Sequence, residues 1–92
     1  MNTVAKINDE LALIGNLLRA KNTLYGNSAL EPINIFSKQS PTEGIKLRID
    51  DKLKRIKNLS PNDTEDTILD LIGYLILLRI SMRSDEHGDA GK

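Results

Sequence analysis

The stretch that decides the fold is ILDLIGYLILLRI, residues 68–80. Ten of its thirteen residues are apolar, and only Asp70, Gly73 and Arg79 interrupt them. The run falls short of the ~20 residues that a membrane-spanning helix needs. A helix this apolar has no polar face wide enough for ordinary surface exposure, so it must be covered on more than one side. We therefore predict a buried helix three from about Pro61 to Met82, started by a serine cap followed by proline.

Two amphipathic helices precede this buried one. Helix one is predicted from Val4 to about Ala20, and its apolar residues recur at alternating steps of three and four: Val4, Ile7, Leu11, Ile14 and Leu18. Helix two is predicted from Thr42 to Leu59, with one apolar side at helical spacing: Ile45, Ile49, Leu53 and Ile56. Both helices keep polar faces, so together they cover helix three only in part. Self-association is the economical way to cover the remainder.

Length and composition limit the architecture. A chain of 92 residues fills one hydrophobic core, and with no cysteine and 3% aromatic residues that core must be built from aliphatic helix packing. We predict an all-α fold, a small bundle of three main helices plus a short loop helix starting at Pro32, completed by oligomerisation. The single domain is assigned to residues 1–83, and the small polar residues 84–92 are expected to form a disordered tail.

The charge balance excludes several functions. Thirteen basic residues face thirteen acidic ones, and aromatic platforms are few, so neither nucleic acid nor an anionic membrane is an expected partner. Residues 1–6 lack the basic stretch and apolar run of a signal peptide, which together with the missing cysteines suggests a cytoplasmic protein. The one histidine, His87, lies in the expected tail, so histidine-dependent hydrolysis and zinc binding have little support.

Residues 21–41 form a long connection that could carry a site. The turn Gly26-Asn27-Ser28 follows Tyr25, and long loops retained in compact domains are often functional. The alternative is that the apolar members of this segment only plug the end of the core: Tyr25, Leu30, Ile35 and Phe36. Both interpretations stay open at this stage.

Charged residues of helices two and three are the candidates for chemistry. Arg48, Lys52 and Arg55 share one face of helix two, which Lys46 and others flank. Asp66 and Asp70 share a stripe of helix three, and buried carboxylates need partners. Either the cations of helix two pair with these carboxylates, or the carboxylates hold Mg²⁺, the one cofactor that the sequence suggests. The basic residues near the Tyr- and Asn-bearing loop could also form a cradle for phosphate and a base.

Three blocks resemble a known family. They are KNTLYGNS at residues 21–28, IKLRIDDKLKRI at 45–56 and EDTILDLIGY at 65–74. In this order they resemble phage and prophage nucleotide-modification-associated proteins, which are similar to the all-α nucleoside triphosphate pyrophosphohydrolases of the MazG kind. The resemblance implies a helical, oligomeric fold and a nucleotide-like ligand, in the host cytoplasm if the chain is phage-encoded. It would make Asp66 and Asp70 the Mg²⁺ ligands, and a pyrophosphohydrolase could add Asp51 to them.

One departure from the family decides between the functions. The pyrophosphohydrolases carry a glutamate cluster on a preceding helix, where helix one here offers only Asp9 and Glu10. We therefore predict a non-enzymatic protein that sequesters a phosphorylated nucleotide or nucleotide-derived signal in pockets between subunits, as a phage could use against host defence. Its predicted ligand-binding residues are Tyr25, Asn27, Lys46, Arg48, Lys52 and Arg55. A Mg²⁺-dependent pyrophosphohydrolase is the alternative, and a protein-binding module presenting helix two is a further one.

Overall fold

The computed structural model describes residues 2–34, 38–58 and 61–87, and within them the side chains of 2–34, 38–58 and 66–85. Three α-helices follow one another: α1 from Thr3 to Tyr25, α2 from Pro41 to Asn58 and α3 from Pro61 to His87. The described residues contain no strand. The all-α class and the three main helices predicted from the sequence are thereby confirmed.

Helix α1 begins at a side-chain cap and ends at a left-handed turn. The Asn2 side chain accepts a hydrogen bond from the Val4 amide at 2.8 Å, which satisfies one of the free donors of the first turn. Gly26 ends the helix with φ 59° and donates its amide to the Asn22 carbonyl. The prediction that the helix ends near Ala20 was wrong by five residues. The glycine cap, rather than the loss of apolar residues, sets the end.

Helix α2 starts at Pro41, one residue before the predicted Thr42. The Ser40 hydroxyl accepts from the Glu43 amide at 3.1 Å, and Pro41 occupies the first helical position, where its missing N–H costs nothing. The predicted last residue, Leu59, lies outside the described residues, as does the Ser60 cap expected for α3.

Helix α3 is longer than predicted. It continues past Met82 to His87, so residues 84–87, assigned to a disordered tail, are helical. The reason is a tertiary contact, since the Asp85 carboxylate accepts a hydrogen bond from the Thr42 hydroxyl at 2.6 Å and ties the last turns of α3 to the start of α2. The rest of the expected tail, residues 88–92, lies outside the described residues.

Helices α2 and α3 form an antiparallel hairpin that is closed near both ends. At one end the hydroxyls of Thr42 and Ser81, which are 7% and 4% exposed, hydrogen-bond to each other. Ten residues along α2, Lys52 lies 3.3 Å from Asp70 of α3. Ile45 is 2% exposed between these two polar contacts and is the most buried side chain of the described core. The hairpin therefore has an apolar centre between two hydrogen-bonded or ion-paired layers.

The inward face of α2 differs from the predicted one at a single position. Leu53 was assigned to the apolar side, but it is 52% exposed, whereas the Lys52 side chain is only 20% exposed. Residues 52 and 53 both continue a helical spacing from Ile45 and Ile49, so the periodicity alone does not choose between them. The choice is made by Asp70, which places a carboxylate opposite Lys52.

Helix α1 packs only against a short part of α3. Lys21 forms an ion pair with Asp70 at 2.8 Å, and a Cβ on Gly73 would lie 3.4 Å from Leu18, so the two helices run in opposite directions where they meet. Ile14 is the only buried residue of α1. Toward the N-terminus Ile7 and Leu11 of the same apolar seam are 51% and 62% exposed. The radius of gyration is 15.0 Å, above the ~12 Å of a compact domain of this length.

The connection between α1 and α2 shows no helix in its described part. Residues 27–30 form turns, residues 32–34 and 38–40 are irregular, and residues 35–37 lie outside the described residues. The short loop helix predicted after Pro32 is therefore not seen, and the predicted plug residues Ile35 and Phe36 cannot be placed. Among the described residues, no helix combines the length and the hydropathy needed to cross a membrane.

Candidate functional site

The strongest cluster of functional side chains lies where the three helices meet. Asp70 of α3 receives Lys21 from α1 at 2.8 Å on one carboxylate oxygen and Lys52 from α2 at 3.3 Å on the other. The Asp70 side chain is 30% exposed and that of Lys52 is 20% exposed, so this contact is half-buried. We call Lys21, Lys52 and Asp70 the junction cluster. It holds two positive charges and one negative charge.

The pKa values of the cluster reflect this pairing. The hydrogen bond to Asp70 raises the pKa of Lys21, against the opposing effect of partial burial, and the charge of Asp70 adds to the rise. Partial burial by itself raises the pKa of Asp70, but the hydrogen bonds and charges of Lys21 and Lys52 together outweigh it and lower that pKa below its ordinary value. Both shifts favour the charged forms of Lys21 and Asp70 at neutral pH.

Two tyrosines lie beside the junction cluster. Tyr25 lies one helical turn after Lys21 on α1, and Tyr74 lies one turn after Asp70 on α3. Electrostatic interactions with both tyrosines make the smallest contributions to the raised pKa of Lys21. Tyr25 is 64% exposed, whereas Tyr74 is half-buried on α3. An exposed aromatic ring near an ammonium group can stack a base while the ammonium neutralises a phosphate.

Lys21, Tyr25 and Lys52 occupy seam positions of their helices. The spacing of Ile14 and Leu18 continues, by a step of three and a step of four, to Lys21 and Tyr25. Sequence reasoning missed Lys21 because helix one was ended too early, although this continued spacing was the signal that could have found it. This spacing places Lys21 and Tyr25 on the face of α1 that carries Ile14 and Leu18.

The remaining cations predicted on α2 are divided between two surfaces. Arg48 and Arg55 share a stripe of α2 with Lys52 and are exposed, and neither has an ion-pair partner among the described side chains. Lys46 instead pairs with Glu43 at 3.4 Å and lines a separate cleft. The structure thus places Lys52 in the junction cluster, leaves the two arginines beside it on α2, and separates Lys46 from the group.

Asn27 is engaged within the turn that ends α1. It adopts φ 62°, a left-handed conformation that asparagine tolerates better than most residues. Its side-chain carbonyl accepts from the Asn22 amide, and its side-chain amide donates to Glu31 at 3.2 Å. Asn27 therefore has a structural role in this turn irrespective of any binding role.

The acidic residues do not assemble into a cage for Mg²⁺. Within the described ranges, no three histidine, cysteine, aspartate or glutamate side chains gather at a distance that suits a metal ion. Both Asp70 oxygens face ammonium groups, while Asp66 and Asp51 are exposed. The donor set therefore does not fit a divalent cation in this arrangement. Of the two alternatives for Asp70, ion pairing with Lys52 is the one found, and the metal roles of Asp66 and Asp70 stay predictions.

A second surface lies at the other end of the hairpin. A shallow cleft of ≈ 720 Å³ is bordered by the start of α2 and the last turns of α3, and its lining includes Lys46, Met82, Asp85 and two arginines, Arg79 and Arg83. The Thr42 hydroxyl donates to Asp85, so the buried Ser81 hydroxyl donates to Thr42. This network was missed from the sequence because it joins residues 39 and 43 positions apart.

The chain matches no family model, no curated protein and no solved structure. The resemblance described above therefore rests on its three short blocks alone.

Proposed function

We propose that the protein binds a phosphorylated nucleotide or nucleotide-derived signal at the junction cluster and sequesters it without chemical change. The observation that carries this proposal is that Lys21 and Lys52 share a single carboxylate, Asp70, while exposed Tyr25 lies one helical turn after Lys21 on α1. A cluster with one excess positive charge attracts a phosphate, and the pairing with Asp70 holds both ammonium groups in place before the ligand arrives.

In this proposal the basic residues bind the phosphates of the ligand and Tyr25 stacks on its base. Lys52 and Lys21 contact the phosphate nearest to the helix junction, and Arg48 and Arg55, free of ion pairs among the described side chains, reach further phosphates along α2. Tyr25 supplies the stacking surface. Lys46 belongs to the opposite end of the hairpin, so this proposal gives it no contact with the ligand.

Sequestration is favoured over hydrolysis by the state of Asp70. A hydrolase that positions Mg²⁺ against a triphosphate needs carboxylates free to ligate the ion. Here Asp70 would first have to lose two ammonium partners, and Asp66 is exposed on the helix surface. The alternative of a Mg²⁺-dependent pyrophosphohydrolase is therefore retained only as an outcome of the binding test.

The proposal includes self-association. Apolar side chains remain exposed on every helix, among them Leu11 of α1 at 62%, Leu53 of α2 at 52% and Ile68 of α3 at 44%. A second copy could cover such residues and place a wall over the open side of the junction cluster. A cytoplasmic location, and a phage origin with a role against host defence, stay predictions from the sequence.

The test is a thermal-shift screen against mono-, di-, tri- and cyclic nucleotides, with and without Mg²⁺, followed by chromatography of any ligand that stabilises the protein. A ligand at ~100 times its dissociation constant should add roughly 2.7 kcal/mol to the free energy of unfolding. Recovery of the ligand unaltered supports sequestration. Conversion to a monophosphate only with Mg²⁺ would establish hydrolysis instead, and no stabilisation by any nucleotide would refute the proposal.

Variants locate the ligand on the protein. Lys52→Gln and Lys21→Gln should each weaken binding by about tenfold or more, because each removes a charge-assisted hydrogen bond to phosphate. Lys54→Gln is the matched control, since Lys54 is an exposed lysine of α2 on the side of the helix away from Lys52. Tyr25→Leu should weaken binding, while Tyr25→Phe, which keeps the ring, should not. Equal effects of Lys52→Gln and Lys54→Gln would mean that only net charge matters.

A further inference from the structure

The cleft between the start of α2 and the last turns of α3 takes no part in the proposed function. Its lining includes Lys46 of α2, Arg79 and Arg83 of α3, and two carboxylates, Glu43 and Asp85. Three positive and two negative charges leave one excess positive charge. The cleft shares no lining residue with the junction cluster, so it is a second, separate surface at which an anion meets positive charge. We call it the hairpin cleft.

The two arginines of the hairpin cleft lack an acidic partner. Glu43 pairs with its neighbour Lys46 at 3.4 Å, and the other carboxylate, Asp85, accepts a hydroxyl of α2 at 2.6 Å. Arg79 and Arg83 have no carboxylate within ion-pair distance in the described part of the chain. Both are exposed and lie one turn apart on α3, a spacing at which like charges destabilise a helix. A bound anion would relieve this repulsion.

A buried hydrogen-bond network holds the two walls of the cleft together. The hydroxyls of Thr42 and Ser81 hydrogen-bond to each other and are 7% and 4% exposed. Ser81 lies between the two arginines in the sequence of α3, and Thr42 precedes Lys46 by one turn of α2. The network therefore ties the backbone that carries the arginines to the backbone that carries the lysine. Because the main chain is already fixed, a ligand has to order only the side chains.

The donors of the cleft suit a phosphate dianion. A guanidinium group presents its N–H donors in a planar fork, and two such groups one turn apart can bind different oxygens of one tetrahedral anion. A phosphomonoester carries a charge of about −1.5 to −2 at pH 7, which matches the two arginines that have no ion pair. Lys46 can add a third contact, because its exposed ion pair with Glu43 contributes little energy.

We infer that the hairpin cleft binds the phosphate group of a phosphomonoester between Arg79 and Arg83, with Lys46 on the opposite wall. Lys46 and Lys52 are six residues apart on α2, which places them about 9 Å apart along the helix and about 120° apart around it. The cleft is therefore a second site, distinct from the junction cluster. Phosphate binding in the cleft does not depend on nucleotide binding at that cluster.

Side-chain NMR of the arginines tests the inference, with methyl phosphate as the probe. The Nε–Hε signals of an isotope-labelled chain report each arginine separately, and the signals lost in Arg79→Gln and Arg83→Gln identify those two residues. Methyl phosphate is exchanged for chloride at constant ionic strength, so that general screening stays the same. Both signals should shift along one saturating curve with a dissociation constant on the order of 1 mM. No saturable shift of either signal would overturn the inference.

Variants show which side chains carry the binding. Arg79→Gln and Arg83→Gln should each weaken methyl phosphate binding by about tenfold, followed on the signal of the remaining arginine, because each removes a charge-assisted hydrogen bond. Arg19→Gln is the matched control, since Arg19 is an exposed arginine of α1 outside the cleft lining. It should change the affinity by less than about twofold, because a distant charge is screened. Equal losses in Arg19→Gln and Arg79→Gln would contradict a defined site.

Dimethyl phosphate tests the assignment to a monoester. It carries one negative charge and has two free oxygens fewer bonded to protein donors than a dianion permits, so it should bind at least about fivefold more weakly than methyl phosphate. Equal affinities of the two compounds would overturn the assignment. A chloride titration at the same ionic strength should leave both arginine signals unmoved.

Lys52→Gln separates this inference from the proposed function. The variant should leave the methyl phosphate shifts of Arg79 and Arg83 unchanged, and their loss would overturn the cleft as a separate site. Nucleotide stabilisation that is lost in Lys52→Gln but kept in Arg79→Gln belongs to the junction cluster. The reverse pattern would place the nucleotide phosphate in the cleft and refute the proposed function while supporting the inference.

Discussion

The α2–α3 hairpin and helix α1 differ in how completely they bury their apolar side chains. The hairpin is held near both ends, by Thr42 with Ser81 and by Lys52 with Asp70, and it buries Ile45 almost fully. Helix α1 buries only Ile14 and leaves the first half of its apolar seam exposed. The difference indicates that a regular seam suffices to form a helix, while its docking requires a matching surface. For α1 the chain supplies that surface over only about two turns.

The largest effect is expected from Ile45→Ala in the hairpin core. Removing a nearly buried isoleucine side chain should lower the free energy of unfolding by about 3 kcal/mol, because the lost transfer energy adds to that of the cavity left behind. The measurement is the urea midpoint. Leu47→Ala is the matched control, since Leu47 lies on the same helix but is 52% exposed, and it should cost under about 0.5 kcal/mol. Equal costs would show that the hairpin is not the stable half of the molecule.

The polar layer at the end of the hairpin should have the next largest effect. Thr42→Val leaves the 4% exposed Ser81 hydroxyl without its acceptor and Asp85 without its donor, which should cost about 1–3 kcal/mol. Adding Ser81→Ala to Thr42→Val should cost less than the sum of the single changes, because both hydroxyls are then absent. A double-mutant cycle in urea measures this coupling, and strict additivity would contradict the network.

The junction cluster joins the hairpin to α1, and its contribution to the free energy of unfolding should depend on pH. Asp70→Asn should cost about 1 kcal/mol near pH 7, an amount limited by the exposure of the groups. Since the folded-state pKa of Asp70 is lowered, its contribution is present above the unfolded value of about 3.9 and is lost as pH falls through the folded pKa. The raised pKa of Lys21 gives a contribution present below the unfolded value of about 10.4 and lost as pH rises through the folded pKa.

The measurement for the junction cluster is urea stability of the wild type and Asp70→Asn at a series of pH values. Between about pH 5 and 9 the difference between them should stay constant, and it should shrink at both extremes. A difference that grows toward low pH would have the wrong sign for an ion pair.

The smallest effect is expected where α1 meets α3. In Gly73→Ala the new Cβ would lie 3.4 Å from Leu18, an ordinary contact with a flexible side chain. The change should therefore raise the free energy of unfolding by up to about 1 kcal/mol through helix propensity, or several degrees in Tm. Gly73→Leu is the contrasting variant, because its larger side chain should push α1 away and expose Ile14. If both variants behaved alike in a thermal melt, α1 would not rest on Gly73.

Sequence reasoning predicted the helices better than their lengths or their rotations. Helix existence follows from local periodicity and from start signals such as Pro61. The ends of α1 and α3 were predicted too early, because polar residues such as Lys21 and Asp85 were taken to lie beyond the apolar seams. In the structure each of them lies within its helix and contacts a residue of another helix. For the candidate site, the sequence suggested that Lys52 could pair with Asp70, but it did not suggest Lys21 as the second partner.

By itself, the sequence determined that this chain forms three helices with an all-round apolar third one, because hydrophobic spacing and caps act within one or two turns. Only the tertiary structure decided which side of each helix faces inward. The choice of Lys52 over Leu53, the meeting of Lys21 with Asp70 and the exposure of Leu11 depend on residues far apart in the chain. Because an α-helix has 3.6 residues per turn, two neighbouring stripes of side chains can each face the core. The charges and shapes on the opposing helix decide which stripe is buried.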